Sequence, residues 1–277
     1  MTTEHPQQRN RAELADTFRS LHVPGRPLAL ANAWDVASAR VVEAAGAPAV
    51  ATTSAGVAWS LGAPDGDAIA RDRAVELVAR VAAAVGVPVT ADIEGGHGAD
   101  ADAVGETVAQ VIAAGAVGIN IEDADRDPAE LADRIAAARA AADASGVPLY
   151  INARTDTYLF GLGEPGPARL AETLARAERY LAAGATGIFV PGVTDPETVA
   201  ELAKGIDAPL NLLVGPGAPA VAELAAAGAA RISLGSEVAA AAYAVAARAT
   251  RELLGAGTYT SVEGALPYGE LNGLLKG

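Results

Sequence analysis

Short apolar runs alternate with longer Ala-rich amphipathic stretches, and after a polar N-terminal leader the alternation repeats eight times. The runs are Leu28 to Trp34, Ala49 to Ser54, Pro88 to Gly95, Val117 to Ala124, Pro148 to Asp156, Gly187 to Gly192, Pro209 to Gly215 and Ala230 to Gly235. Each is bounded by Gly or Pro and reads as a strand. Between them, segments such as DRAVELVARVAAAV, LADRIAAARAAADA and RLAETLARAERYLAAG place apolar residues three and four apart, with Arg and Glu on the other face. That spacing predicts helices packed by one side. The junctions EAAGAPAV, AAVGVPVT, IAAGAVGI and DASGVPLY repeat one design, a glycine just past a helix end followed at once by a strand.

Eight β/α units predict a (β/α)8 TIM barrel with a C-terminal helical extension. An open doubly wound sheet also alternates β and α. The G-x4-G-K-[ST] loop that cradles nucleotide phosphates in many such sheets is missing, and the one G-x-G-x-x-G match, Gly161 to Gly166, lies far from the first β/α unit where that fingerprint belongs. The whole chain, 1–277, reads as one domain, with a leader at 1–25, a long helix from Glu237 to Leu254 and a tail at 255–277. The tail is rich enough in Leu and Tyr to be expected against the barrel or a neighbouring subunit.

Half of the residues are apolar and only three are Phe, so the core must be built mostly from Ala, Val, Leu and Ile. The 34 acidic residues exceed the 20 basic ones, giving a charge of −14 that disfavours nucleic acid and anionic membrane surfaces. No cysteine is present, which excludes disulfides, thiolate metal sites and cysteine nucleophiles. No run reaches the roughly 18 apolar residues of a membrane span, and no apolar signal core follows the first Met, so a cytoplasmic location is expected.

Polar residues collect where the strands end, the end of a barrel that carries function. Thr53 and Ser54 close the second run, Asp92-Ile93-Glu94 the third, Glu122-Asp123 the fourth and Arg154-Thr155-Asp156 the fifth, while Asn211 lies in the seventh. Asp92 and Glu94, separated by one residue within the third run, share one strand face. With Glu122 from the adjacent strand they form an all-oxygen set suited to magnesium or manganese rather than zinc. Arg154 is either a structural partner of Asp156 or Glu122 or a fork for a substrate carboxylate. Trp34 and Asp35 line the floor of the mouth, or Trp34 joins the core and Asp35 caps the following helix, and Asp123, Asp125 and Asp127 read as a solvated loop and helix start.

The stretches NAWDVASAR, TTSAGVAWSLGAPDG, TADIEGGHG, NIEDA, NARTD, GIFVPG and PLNLL, in this order, resemble the isocitrate lyase and phosphoenolpyruvate mutase superfamily. The resemblance covers essentially the whole barrel. It implies a substrate-binding loop at Ser54, Ala55 and Gly56, with Trp34, Asn211 and Arg154 also at the substrate. It implies a catalytic carboxylate at Asp65 beside Arg154 and Glu122, and a magnesium site at Asp92, Glu94 and Glu122. The implied chemistry is bond cleavage next to a 2-oxo acid through a metal-stabilised enolate. The implied assembly is a homotetramer, with exchanged C-terminal helices as one form of it.

Three departures narrow that expectation. NIEDA runs straight into DRDPAEL, without the Lys-Lys-Cys-Gly-His type loop of the lyases or the Lys and Asn of a phosphonomutase gate. Val190, Pro191 and Gly192 stand where relatives place a polar residue, and His97 replaces an aromatic one. His97 reads as a neutral loop histidine or a proton carrier. The favoured activity is decarboxylation of an oxaloacetate-like acid, the alternatives being a phosphonopyruvate-type hydrolase or mutase and a non-catalytic barrel that binds 2-oxo acids.

Overall fold

The structure, a computed structural model, describes residues 11–276. Strands β1 (Leu28–Leu30), β2 (Asn32–Ala33), β3 (Val50–Thr52), β4 (Val89–Asp92), β5 (Gly118–Glu122), β6 (Tyr150–Arg154), β7 (Gly187–Val190), β8 (Leu210–Leu213) and β9 (Arg231–Ser233) are all parallel. They follow the predicted runs, each shorter at one or both ends. The first run is split at Ala31, so that β1 pairs with β9 and β2 pairs with β3. One run thus joins both ends of the sheet, and the barrel closes.

Helices connect the strands, as their amphipathic spacing requires. Ile119 and Ile121 of β5 join Val108, Val111 and Ile135 in the main core between sheet and helices. By strand alternation Asn120 and Glu122 turn to the barrel interior. The lower end is closed by the helix Arg11–Ser20, a part of the leader to which the sequence assigned no core role. Phe18 is fully buried there, 5.5 Å from the Tyr150 ring, and His22 stacks on Tyr150 at 4.0 Å. Gly118 leaves the room for it, since a Cβ at that position would stand 2.8 Å from Phe18.

The long helix Glu237–Gly255 follows β9, and among its residues only Ala239 is buried. The helix Tyr268–Leu274 in the tail lies against the helix Val36–Ala44. No helix of the described residues is long and apolar enough to cross a membrane.

Candidate active site at the C-terminal strand ends

Asp92 is the last residue of β4, and its backbone N–H donates to the Thr52 hydroxyl at 2.9 Å. Glu94 lies past the strand end with φ +53°, so the alternation that would have set it beside Asp92 no longer applies. Its carboxylate instead accepts the Asp67 N–H, and its own N–H donates to Asp92 Oδ1 at 3.2 Å. The turn is held from outside by buried Arg134, which donates to the carbonyls of Gly95 and Gly98 at 2.7 and 3.0 Å.

Glu122 and Arg154 end the adjacent strands β5 and β6 and are register partners. Arg154 Nη1 meets Glu122 at 2.6 Å and Nε meets Asp156 at 2.6 Å, with the Phe189 ring 5.9 Å from the guanidinium carbon. Both structural contacts open to Arg154 in the sequence are therefore made at once.

Burial raises the carboxyl pKa values here. Glu94 is pushed up to about 7 by burial, with Asp67, Asp65 and Asp92 adding to the rise against the Asp67 N–H that opposes it. Glu122 is pushed up to about 8, again mainly by burial, against the pull of Arg154 and with Asp92, Asp156 and Asp65 adding to it. Asp92 is raised as well, by burial first. The exposed loop residue Asp65 thus acts electrostatically on all three acids.

Among the described residues, the acids and histidines whose ligand atoms lie within 4.8 Å of one another are Asp67, Glu94 and His97. Asp92 and Glu122 stand outside that group. The buried His97 side chain has Nδ1 3.7 Å from Asp67, and burial lowers its pKa, so the ring is neutral. Asp67 is already paired with Arg126 at 2.8 Å. The sequence reading singled out neither Asp67 nor Arg126, although Asp67 follows Asp65 by two residues and Arg126 lies in the segment after NIEDA.

Ser54, Ala55 and Gly56, expected as a loop, form the first turn of the helix Ser54–Ser60. The N–H groups of a first turn have no intrahelical acceptor and suit a carboxylate. Ser54 shares a cavity with Thr52, Asp92, Glu94, His97 and apolar side chains including Ile69. Trp34 packs with the core cluster of Ala33 and Val42, and Asp35 caps the following helix through the Ser38 N–H at 2.7 Å. Asn211 is buried, its Oδ1 accepting from Ser233 at 3.4 Å and its Nδ2 without a partner.

The solvated loop expected at Asp123 is a correction. Asp123 is fully buried and accepts from Arg176 at 2.9 Å, Tyr180 at 2.7 Å and the Asp156 N–H at 2.9 Å. Those partners come from the helix Pro167–Ala182 and from the segment just past β6. Asp127 caps the helix Pro128–Ser145, as a helix start requires, and Asp125 is exposed.

A closed parallel barrel whose C-terminal mouth gathers buried carboxylates around an arginine defines the class. The chain belongs to the phosphoenolpyruvate phosphomutase family, whose profile matches residues 18–254, and so to the isocitrate lyase and phosphoenolpyruvate mutase superfamily. It is 42% identical to a Burkholderia cenocepacia J2315 protein provisionally described as a phosphonomutase, over 90% of this chain and all of that one, with a TM-score of 0.81. Oxaloacetate decarboxylase of Pseudomonas savastanoi pv. phaseolicola is 30% identical over 73% of this chain and 70% of its own length. A phosphonopyruvate hydrolase solved with oxalate and Mg2+ is 26% identical, with 95% of each chain covered and a TM-score of 0.79.

Proposed function

We propose that this protein is a magnesium-dependent lyase, with manganese as a substitute, that cleaves a carbon–carbon bond in a small oxaloacetate-like 2-oxo acid. The observation that carries the reading is the crowding of carboxyl groups at the barrel mouth, with Glu94 raised to about 7 and Glu122, beside Arg154, to about 8. Acids in that condition fit a divalent ion, because ionising them together requires a further positive charge. All donors are oxygens, as magnesium prefers.

Asp92 would hold the ion directly, with Glu94 and Glu122 acting directly or through water, since magnesium keeps much of its water shell. The group of Asp67, Glu94 and His97 is the weaker candidate, as Arg126 already neutralises Asp67. When bound, the ion supplies Lewis-acid stabilisation of the negative charge that develops on the 2-oxo oxygen. Arg154 orients one substrate carboxylate through the face of its guanidinium not engaged by Glu122 and Asp156. The N–H groups of Ser54, Ala55 and Gly56 receive another, with Trp34 and Asn211 bounding the pocket. Asp65, in the exposed loop, or water delivers the proton to carbon after carbon dioxide leaves.

The named activity of the Pseudomonas relative and the oxalate in the hydrolase complex support a 2-oxo acid or its analogue as the ligand. Against cleavage of a phosphonate stands Arg126, the cation of the loop after β5, which is engaged by Asp67. The protein is further proposed to be a cytoplasmic homotetramer.

The deciding experiment is a panel of 2-oxo acids with the pure protein and Mg2+. Metal-dependent pyruvate formation from oxaloacetate is the expected result. Phosphate release from phosphonopyruvate would establish the C–P alternative. Stabilisation by oxalate without turnover of any 2-oxo acid would establish a binding protein.

A further inference from the structure

Arg231 is among the largest fully buried side chains of the described residues, with 0% exposure. Its Nε and Nη1 have no hydrogen-bond partner. A buried cation so sparsely compensated is costly to keep, and replacement by an apolar side chain would fill the same space. Among the described residues, its guanidinium makes one hydrogen bond, from Nη2 to Asn120 Oδ1 at 3.3 Å. Strand β9 is separated from β5 by β8, β7 and β6, so this side chain crosses the barrel interior to reach the opposite wall.

The guanidinium has only donors, so the Asn120 atom it meets must be the amide oxygen. Asn152 Nδ2 donates to the same oxygen at 2.9 Å. With Oδ1 saturated from below, the Asn120 NH2 group is left for Asp92, its register partner on β4. The Asn120 side chain, beside Asp92 on the neighbouring strand, favours the ionised form of that carboxylate. An Asn120 amide free to turn over would instead present its oxygen to a carboxylate.

We propose that Arg231 is a positioning residue which, by fixing the Asn120 amide, orients the Asp92 carboxylate and so sets the affinity of the barrel mouth for a divalent cation. The proposal rests on the reading of Asp92 as a metal ligand. A mere brace across the interior would change thermal stability and leave cation affinity alone.

The test is Mn2+ titration of the full-length protein, following free Mn2+ by electron paramagnetic resonance. Arg231→Met, folded by circular dichroism, is expected to bind Mn2+ about 10- to 100-fold more weakly, the range for loss of a group that orients a ligand. Arg231→Lys, which is also donor-only, should recover part of that loss. The double variant of Arg231→Met with Asn120→Ala should bind no more weakly than Asn120→Ala alone, because both act through one amide. Wild-type affinity in folded Arg231→Met overturns the proposal, and if that variant fails to fold, wild-type affinity in Asn120→Ala does so. Absence of Mn2+ binding by the wild-type protein removes the metal reading, and the relay with it, whereas intact binding that ignores Arg231 and Asn120 removes the relay alone.

Discussion

Glu94 and Glu122 have folded pKa values of about 7 and about 8, above their ordinary value of 4.5. Between 4.5 and about 8 the folded chain therefore carries more protons on these groups than the unfolded chain. Their contribution to stability falls as pH rises through that window. Mg2+ selects the ionised acids, so the rise in Tm that it causes is expected to be larger at pH 8 than at pH 5, and equal shifts at both would contradict the site. Within the site, Asp92→Asn is expected to lower Mn2+ affinity at least tenfold, while His97→Ala leaves it unchanged. The reverse pattern would move the ion to the Asp67, Glu94 and His97 group. Arg154→Lys, which replaces a planar fork by a point charge, should raise KM for a 2-oxo acid about tenfold or more. Unaltered kinetics would leave Arg154 only its bonds to Glu122 and Asp156. The residue types of the site were legible from the D-x-E and NARTD stretches, but their contacts were not. The left-handed turn at Glu94 and the bond from Asp67 depend on a loop 27 positions away in sequence.

At the scale of elements, all eight apolar runs became strand segments, because each is a short apolar run between breakers whose backbone groups can be satisfied only by pairing with neighbours. The split at Ala31 left no such local mark, since it follows from the first strand having to meet two different partners. The helix Ser54–Ser60 was hidden for a different reason. It is a short segment of seven residues joined to a strand end, and its position is fixed by close packing at Gly56. A Cβ on Gly56 would lie 2.7 Å from the Thr53 methyl, 2.9 Å from Trp34 and 3.2 Å from Ala239. Gly56→Ala is therefore expected to destabilise the protein by about 1–3 kcal/mol, read as a lowered Tm. A neutral effect would show that the first turn can shift at no cost.

For the whole molecule, the last helix and tail expose a band of large apolar side chains, including Tyr243, Val245, Leu254 at 82%, Tyr259 and Tyr268 at 88%. Such a surface is expected to be covered by another copy of the chain. Light scattering should give a mass several times the 27.6 kDa of one chain, and Leu254→Glu with Tyr243→Glu should reduce it. A wild-type monomer would leave the band without that role. The sequence by itself determined the repeated β/α pattern, the acidic charge and the placing of acids and an arginine at strand ends, because these follow from short-range periodicity and composition. Only the tertiary structure decided that the sheet closes through a split strand, that Asp123 is a buried anchor rather than a surface loop residue, and that Arg231 reaches Asn120 across the interior. Each of those joins residues far apart in sequence, where the gain from burial and pairing depends on the partner that the fold supplies and leaves no signature along the chain.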